Sequence, residues 1–335
     1  MRAGRSTVIF EKPPAIVTSS STVGKKEGEG PLKEDFDYIL EDDAYGEESW
    51  EKAESKLQQE TVKRLLEKAK IEEEEVNYIL AGDLLNQCAG ANYAMRNFNV
   101  PFLGLYGACS TMAESMMIGS MLIGGGVADN AVCVTSSHFC SAEKQYRYPL
   151  EYGGQRAPTA QWTVTGSGAV LLSAGNGIAR IKSVTTGKVI DMGTNDANNM
   201  GAAMAPAACD TLTAIFDETK TTPLDYDLIL TGDLGVIGSD ILRDLMNRKG
   251  FDIYEKHNDC GMMIFDIKGQ DVHAGGSGCG CCGSVFAGHI MKLFEKGKIN
   301  KMILMATGAL MNPLAVFQGE TIPAIAHGLV IEREV

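Results

Sequence analysis

The stretch YILAGDL, residues 78–84, returns as LILTGDL at residues 228–234, an offset of 150 residues, and that return decides how the chain is read. Each copy is a short apolar run that stops at Gly-Asp, the composition of a strand entering a turn. Further landmarks repeat in the same order. GAC at 107–109, opening a helix, is answered by GCC at 280–282, and NAVCVTSS at 130–137 by NKMILMATG at 300–308. An ordered set of matches points to an internal duplication, whose halves pack as pseudo-twins with their helix starts facing one cleft. Between the matches, apolar runs alternate with helical segments, so the fold class is α/β with helices covering the sheet faces. The expected halves are residues 1–174, with a long loop at 136–165, and residues 175–335.

Elsewhere the pattern gives a strand near Ala15–Ser19 and a polar surface excursion over 24–49. Trp50, Ala53, Leu57, Leu65, Leu66 and Ala69 predict an amphipathic surface helix over 47–70. Residues 166–174 and 177–189 read as successive strands turning at Gly175, Asn176 and Gly177.

With 335 residues, 44% of them hydrophobic, the chain buries a large core without staples. A net charge of −13 with no basic stripe excludes direct binding to a nucleic-acid backbone. Nine cysteines, an odd number scattered mostly through apolar runs, suit a reducing compartment. The N-terminus lacks a continuous apolar signal, and Ser115–Val127 is too short and glycine-rich to span a bilayer. The expectation is a soluble, cytoplasmic protein that reaches a membrane only through partners.

The chemistry gathers at few places. Cys109 stands at or just before the first turn of an apolar helix, where the helix dipole favours a thiolate; the alternative is a small side chain filling a tight corner. The segment 136–162 offers His138, Lys144, Arg147 and Arg156 as cations and Tyr146, Tyr148, Tyr152 and Trp162 as ring faces, suited to a planar dicarboxylate or to a subunit contact. In HAGGSGCGCCGS, residues 273–284, the glycines, Gly276 among them, suit a cleft wall that a ligand approaches closely. His273 with Cys279, Cys281 and Cys282 lacks the usual ligand spacing for zinc. Asp83 and Asp233, paired by the repeat, either accept backbone hydrogens or help hold calcium.

GLYGACSTMAES (104–115), the long motif from Val134 to Ser173 and DVHAGGSGCGCCGSVFAGH (271–289) resemble the stage V sporulation protein AD family. The resemblance implies a thiolase-like fold, two βαβαβ halves in α-β-α-β-α layers, related to ketoacyl synthases. It also implies a sporulation protein that binds dipicolinic acid, with or without calcium, and supports its uptake into the developing spore. Such a protein works beside the other proteins of a transport assembly, peripheral to the cytoplasmic side of the forespore inner membrane, and as a homodimer. No resident cofactor or metal is implied beyond calcium arriving with dipicolinate. In the enzymes of this fold a cysteine nucleophile works with a histidine at a strand end and a later asparagine or histidine. Cys109 falls on the nucleophile position, Thr231, Gly232 or Asp233 on that of the first histidine, and His273 near the later residue. A glycine or an aspartate supplies neither base nor oxyanion donor. The reading is therefore a binding protein whose ligand contacts are Cys109, His138, Arg147, Arg156, Asp83, Asp233, His273 and Gly276. The alternative is an active acyltransferase or ketoacyl synthase with Cys109 as nucleophile.

Overall fold

A computed structural model describes residues 1–146 and 156–334. The first half runs β1 (Thr7–Ile9), β2 (Ala15–Val23), α1 (Lys25–Gly28), β3 (Tyr38–Ile39), α2 (Trp50–Ala69), β4 (Tyr78–Gly82), α3 (Ala89–Met95), β5 (Phe102–Gly104), α4 (Thr111–Gly124), β6 (Asn130–Ser137), α5 (Phe139–Tyr146), β7 (Trp162–Thr163) and β8 (Gly166–Ser173). The second runs β9 (Ala179–Thr185), α6 (Met200–Thr219), β10 (Leu228–Thr231), α7 (Gly235–Arg248), β11 (His257–Asp259), α8 (Cys260–Met263), β12 (Gly276–Ser277), α9 (Cys279–Val285), α10 (Met291–Glu295), β13 (Lys301–Ala309), α11 (Pro313–Phe317) and β14 (Ala324–Arg333).

The main sheet follows the order β11-β10-β13-β14-β9-β2-β8-β6-β4-β5. Reflected about its centre, that order maps β10 onto β4 and β13 onto β6, the strands that carry the sequence repeat. The two five-strand halves meet at a narrow seam, where Ala15 and Ile16 of β2 pair with Arg180 and Ala179 of β9.

Alternation along the strands builds the layers, because successive side chains leave opposite faces. From β4, β6, β10 and β13, Leu80, Cys133, Leu230, Met302 and Leu304 point inward, onto a core with Met112 and Met116 of α4 and Cys282 and Val285 of α9. Their neighbours Ile79, Ala81, Val132 and Val134 point outward under α2 and α3. In the second half Ile229, Ile303 and Met305 do the same under α6 and α7. The result is five layers, α-β-α-β-α, with α4 and α9 in the middle. A central helix is apolar all round because sheets cover it on both sides.

The outer helices are conventional. Ser49 caps α2 by accepting from Lys52 N–H at 3.3 Å, and Lys70 closes it in the left-handed conformation. Two expectations need correction. The strands β8 and β9 are consecutive but form no hairpin, since β2 lies between them in the sheet and takes up β8's hydrogen bonds. Nor does 24–49 simply lie on the surface: Glu27, Leu32, Phe36 and Leu40 are buried against the body. Among the described residues, no helix is long and apolar enough to cross a membrane.

Candidate functional site

Each half delivers a helix start to the same point. After β5 the chain turns sharply at Gly107–Ser110, with Ala108 at a φ of 50°. That left-handed conformation costs a non-glycine residue about 1–2 kcal/mol. The turn is tied by Ser110 Oγ donating to the Gly107 carbonyl (2.7 Å), Thr111 Oγ1 donating to the Ala108 carbonyl (2.6 Å), and Gly107 N–H donating to Thr111 Oγ1 (3.0 Å). Cys109 is thereby held just ahead of α4, facing the other half. From that half comes Ser277, followed by Gly278 at a φ of 104°, where a Cβ would stand 2.6 Å from Ser137 Oγ. Only glycine fits this approach to the start of α9.

Between the two helix starts lies a recess of about 300 Å³. Cys109 and Ser277 stand on its floor, Tyr146, Gln161, Thr163 and Asn198 on its walls, and Met311, Val316 and Phe317 at its mouth. The size is at the lower end of the roughly 300–1,000 Å³ of ligand pockets. Among the described lining residues none is cationic, and Glu143 is acidic.

The electrostatics of the floor are set by Asp233, which is fully buried. Its Oδ2 accepts from Ser277 Oγ (2.8 Å) and Gly278 N–H (3.0 Å), and its Oδ1 accepts from Thr307 Oγ1 (2.8 Å). The nearby hydroxyls thus spend their protons on the carboxylate, and Ser277 Oγ meets Cys109 Sγ at 4.0 Å. The Asp233 carboxylate also lies near enough for its charge to act on the thiol. Burial, reinforced by the Asp233 charge, pushes the Cys109 thiol well above its ordinary range. The expected thiolate at the helix start is therefore corrected: the dipole is outweighed by burial and a neighbouring anion. Burial also raises Asp233.

The other candidates lie apart from this floor. His138 is buried, with Nε2 on the Asp43 carbonyl (2.8 Å) and Nδ1 accepting from Cys140 N–H (3.2 Å); burial lowers its pKa. Arg156 donates to the Asp271 carbonyl (2.6 Å) and sits 4.5 Å from the centroid of Trp162. His273 faces the same Asp271 at 3.2 Å, so Ser277, and not His273, stands beside the sulfur. The Gly276 carbonyl is held by Gln161 Nε2 (2.9 Å), behind the wall. Asp83 accepts from Leu85 N–H (2.7 Å) and Ala91 N–H (2.6 Å), which is the backbone-accepting role. Arg147, with Tyr148 and Tyr152, lies outside the described residues. Cys279 donates to the Ser136 carbonyl (3.0 Å), and Cys282 is a buried free thiol; among the described residues no His, Cys, Asp and Glu group could hold a metal ion.

Sequence reasoning missed Ser277, Thr307 and the α11 mouth. The first two were within reach, because Ser277 precedes α9 as Cys109 precedes α4, and Thr307 of β13 stands in the repeat where Ser137 ends β6. The α11 segment has no counterpart in the repeat.

A duplicated five-layer body with a cysteine at the start of its first central helix defines a thiolase-like protein. In keeping with that, the chain superposes on 3-oxoacyl-[acyl-carrier-protein] synthase III from Aquifex aeolicus VF5 with a TM-score of 0.56 at 13% identity, covering 96% of this chain and 100% of that one. It also superposes on a tetronic acid condensing enzyme with a TM-score of 0.59 at 15% identity, covering 95% and 99%. Likeness at such identities shows the fold alone. The profile of the stage V sporulation protein AD family matches residues 4–332, and stage V sporulation protein AD of Bacillus subtilis (strain 168) is 46% identical over 330 residues, 98% of this chain and 97% of that protein. The chain belongs to the stage V sporulation protein AD family.

Proposed function

We propose that the protein is a receptor and not a catalyst: it binds dipicolinic acid in the recess beside Cys109 and passes it to a membrane transport assembly during spore formation. The observation that carries this reading is Asp233, a buried carboxylate linked through Ser277 Oγ to the thiol where acyl transfer would require an imidazole. A thiol so placed is a poor nucleophile, and among the described residues lining the recess there is no histidine to take its proton. The recess nevertheless keeps its volume, with the rings of Tyr146 and Phe317 on its lining. Because the described lining lacks a cation and includes Glu143, a free dianion is disfavoured there. The form of dipicolinate that suits it is the one neutralised by calcium, which arrives with the ligand as cargo. Attachment to the cytoplasmic face of the forespore inner membrane through protein partners, and homodimer formation, complete the proposal.

Titration calorimetry with dipicolinate, with and without calcium, tests the reading beside an acyl-CoA arm. Saturable heat for dipicolinate that strengthens with calcium is expected. Absence of heat at millimolar ligand, or turnover of acyl-CoA through a Cys109 thioester, overturns it in favour of the acyltransferase.

A further inference from the structure

The segment from Gly24 to Ser49 reaches the recess wall through polar contacts that leave two buried acid oxygens beside Gly24. Glu27 is 1% exposed; its Oε1 accepts from Thr165 N–H at 3.0 Å, while its Oε2 is buried with no partner. Asp43 Oδ1 is likewise buried and without a partner. Both oxygens border one spot: a Cβ on Gly24 would stand 2.6 Å from Glu27 Oε2 and 2.8 Å from Asp43 Oδ1. Two carboxylate oxygens that share a dry site need a positive charge between them. Calcium would ask for six or more oxygens, and a proton asks for two.

The same residues hold the wall. The Asp43 carbonyl takes His138 Nε2 at 2.8 Å, and Thr165, which binds Glu27, takes Phe139 N–H on Oγ1 at 3.1 Å and Gly24 N–H on its carbonyl at 2.8 Å. Phe139 begins α5, whose Ala142, Glu143 and Tyr146 line the recess. We propose that Glu27 holds a proton beside Asp43, and that this proton latches the 24–49 segment onto the recess wall. Losing the proton leaves two anions in one dry site, so the latch opens as pH rises. Burial, with Asp43 adding to it, raises Glu27 to about 8. The charged or titratable groups facing the pair are Lys26 on α1, itself near Arg156, and His138 and Cys140 beside Asp43. Lys26 opposes the rise in Glu27 and is turned over the ring of Trp162, 3.9 Å from its centroid.

Hydrogen exchange of the full chain, corrected for intrinsic rates, tests this between about pH 6 and pH 10. Protection of peptides covering 24–46 and 139–146 should fall about tenfold per pH unit above the transition, as loss of one proton requires, while peptides of β13 keep theirs. Trp50, whose ring lies 5.6 Å from that of His138, should report the same midpoint by fluorescence. Glu27→Gln should abolish the transition, since the amide replaces the protonated acid. Asp43→Asn, by removing the neighbouring charge, should move it to lower pH. Equal loss of protection in Glu27→Gln and wild type overturns the proposal, as does an unmoved midpoint in Asp43→Asn. A latch closed by added calcium at high pH also overturns it, because the pair would then hold a metal ion.

Discussion

Asp233 governs the chemistry available to Cys109, and removing its charge should show how much. Asp233→Asn is expected to lower the Cys109 pKa, and each tenfold gain in thiolate should bring about a tenfold faster reaction with iodoacetamide at pH 8, read by peptide mass spectrometry. An unchanged labelling rate would mean that burial alone protects the sulfur. The variant should also lose roughly 1–3 kcal/mol in urea unfolding, since an amide cannot accept from all three donors that Asp233 satisfies. At this scale the sequence was legible where a residue sits on the repeat: Cys109 and Asp233 both fall at ends the duplication marks. It misled where a side chain's partner is remote in the chain. His138 looked like a ligand because nothing nearby announces that the Asp43 carbonyl, 95 residues earlier, has taken its ring nitrogen. His273 similarly turns to Asp271, a partner that its place in the motif does not announce.

The outer helices α6 and α7 cross where glycine meets glycine. A Cβ on Gly238 would stand 2.8 Å from Gly201 Cα, so Gly238→Ala must push the helices apart. Such overpacking typically costs about 1–3 kcal/mol, and a smaller drop in urea-unfolding free energy would show that α7 can slide. Strands were the most legible elements, because β6 and β10 are continuous apolar runs bounded by polar ends. Pairing was not legible. The Gly175–Gly177 turn suggested a hairpin, yet at Gly177 the chain passes so close to Ile16 of β2 that a Cβ would lie 2.3 Å from its carbonyl. Local turn chemistry allowed either partner, and the duplicated topology chose the distant one. The α11 segment, with Leu314 71% and Phe317 79% exposed, carries too little periodicity to be read at all.

At the scale of the whole molecule, buried acids set the response to pH. Burial raises Glu27 and Glu54 to about 8 and Asp259 to about 7, from ordinary values of 4.5, 4.5 and 3.8. A pKa raised by folding gives stability that is complete below the unfolded value and is lost as pH climbs through the folded one. The urea midpoint should therefore fall steadily from about pH 5 to pH 8 and level off above. Glu54→Gln should flatten the slope while keeping a partner for Ser136 and Ser141, which now bind Glu54 at 3.2 and 2.6 Å. A slope unchanged in that variant would assign the loss to other groups.

The narrow seam between β2 and β9 has a consequence for how the protein can be taken apart. Main-chain bonding there is short, with Ile178 and Ile181 N–H donating to the Ile16 and Pro14 carbonyls, whereas α4 and α9 share one apolar slab. Severed at Asn176, the chain would give two fragments that each aggregate through a bare inner sheet when made alone. Co-expressed, they should complement one another into a soluble, native-like particle, because the surface each lacks is the one its sister carries.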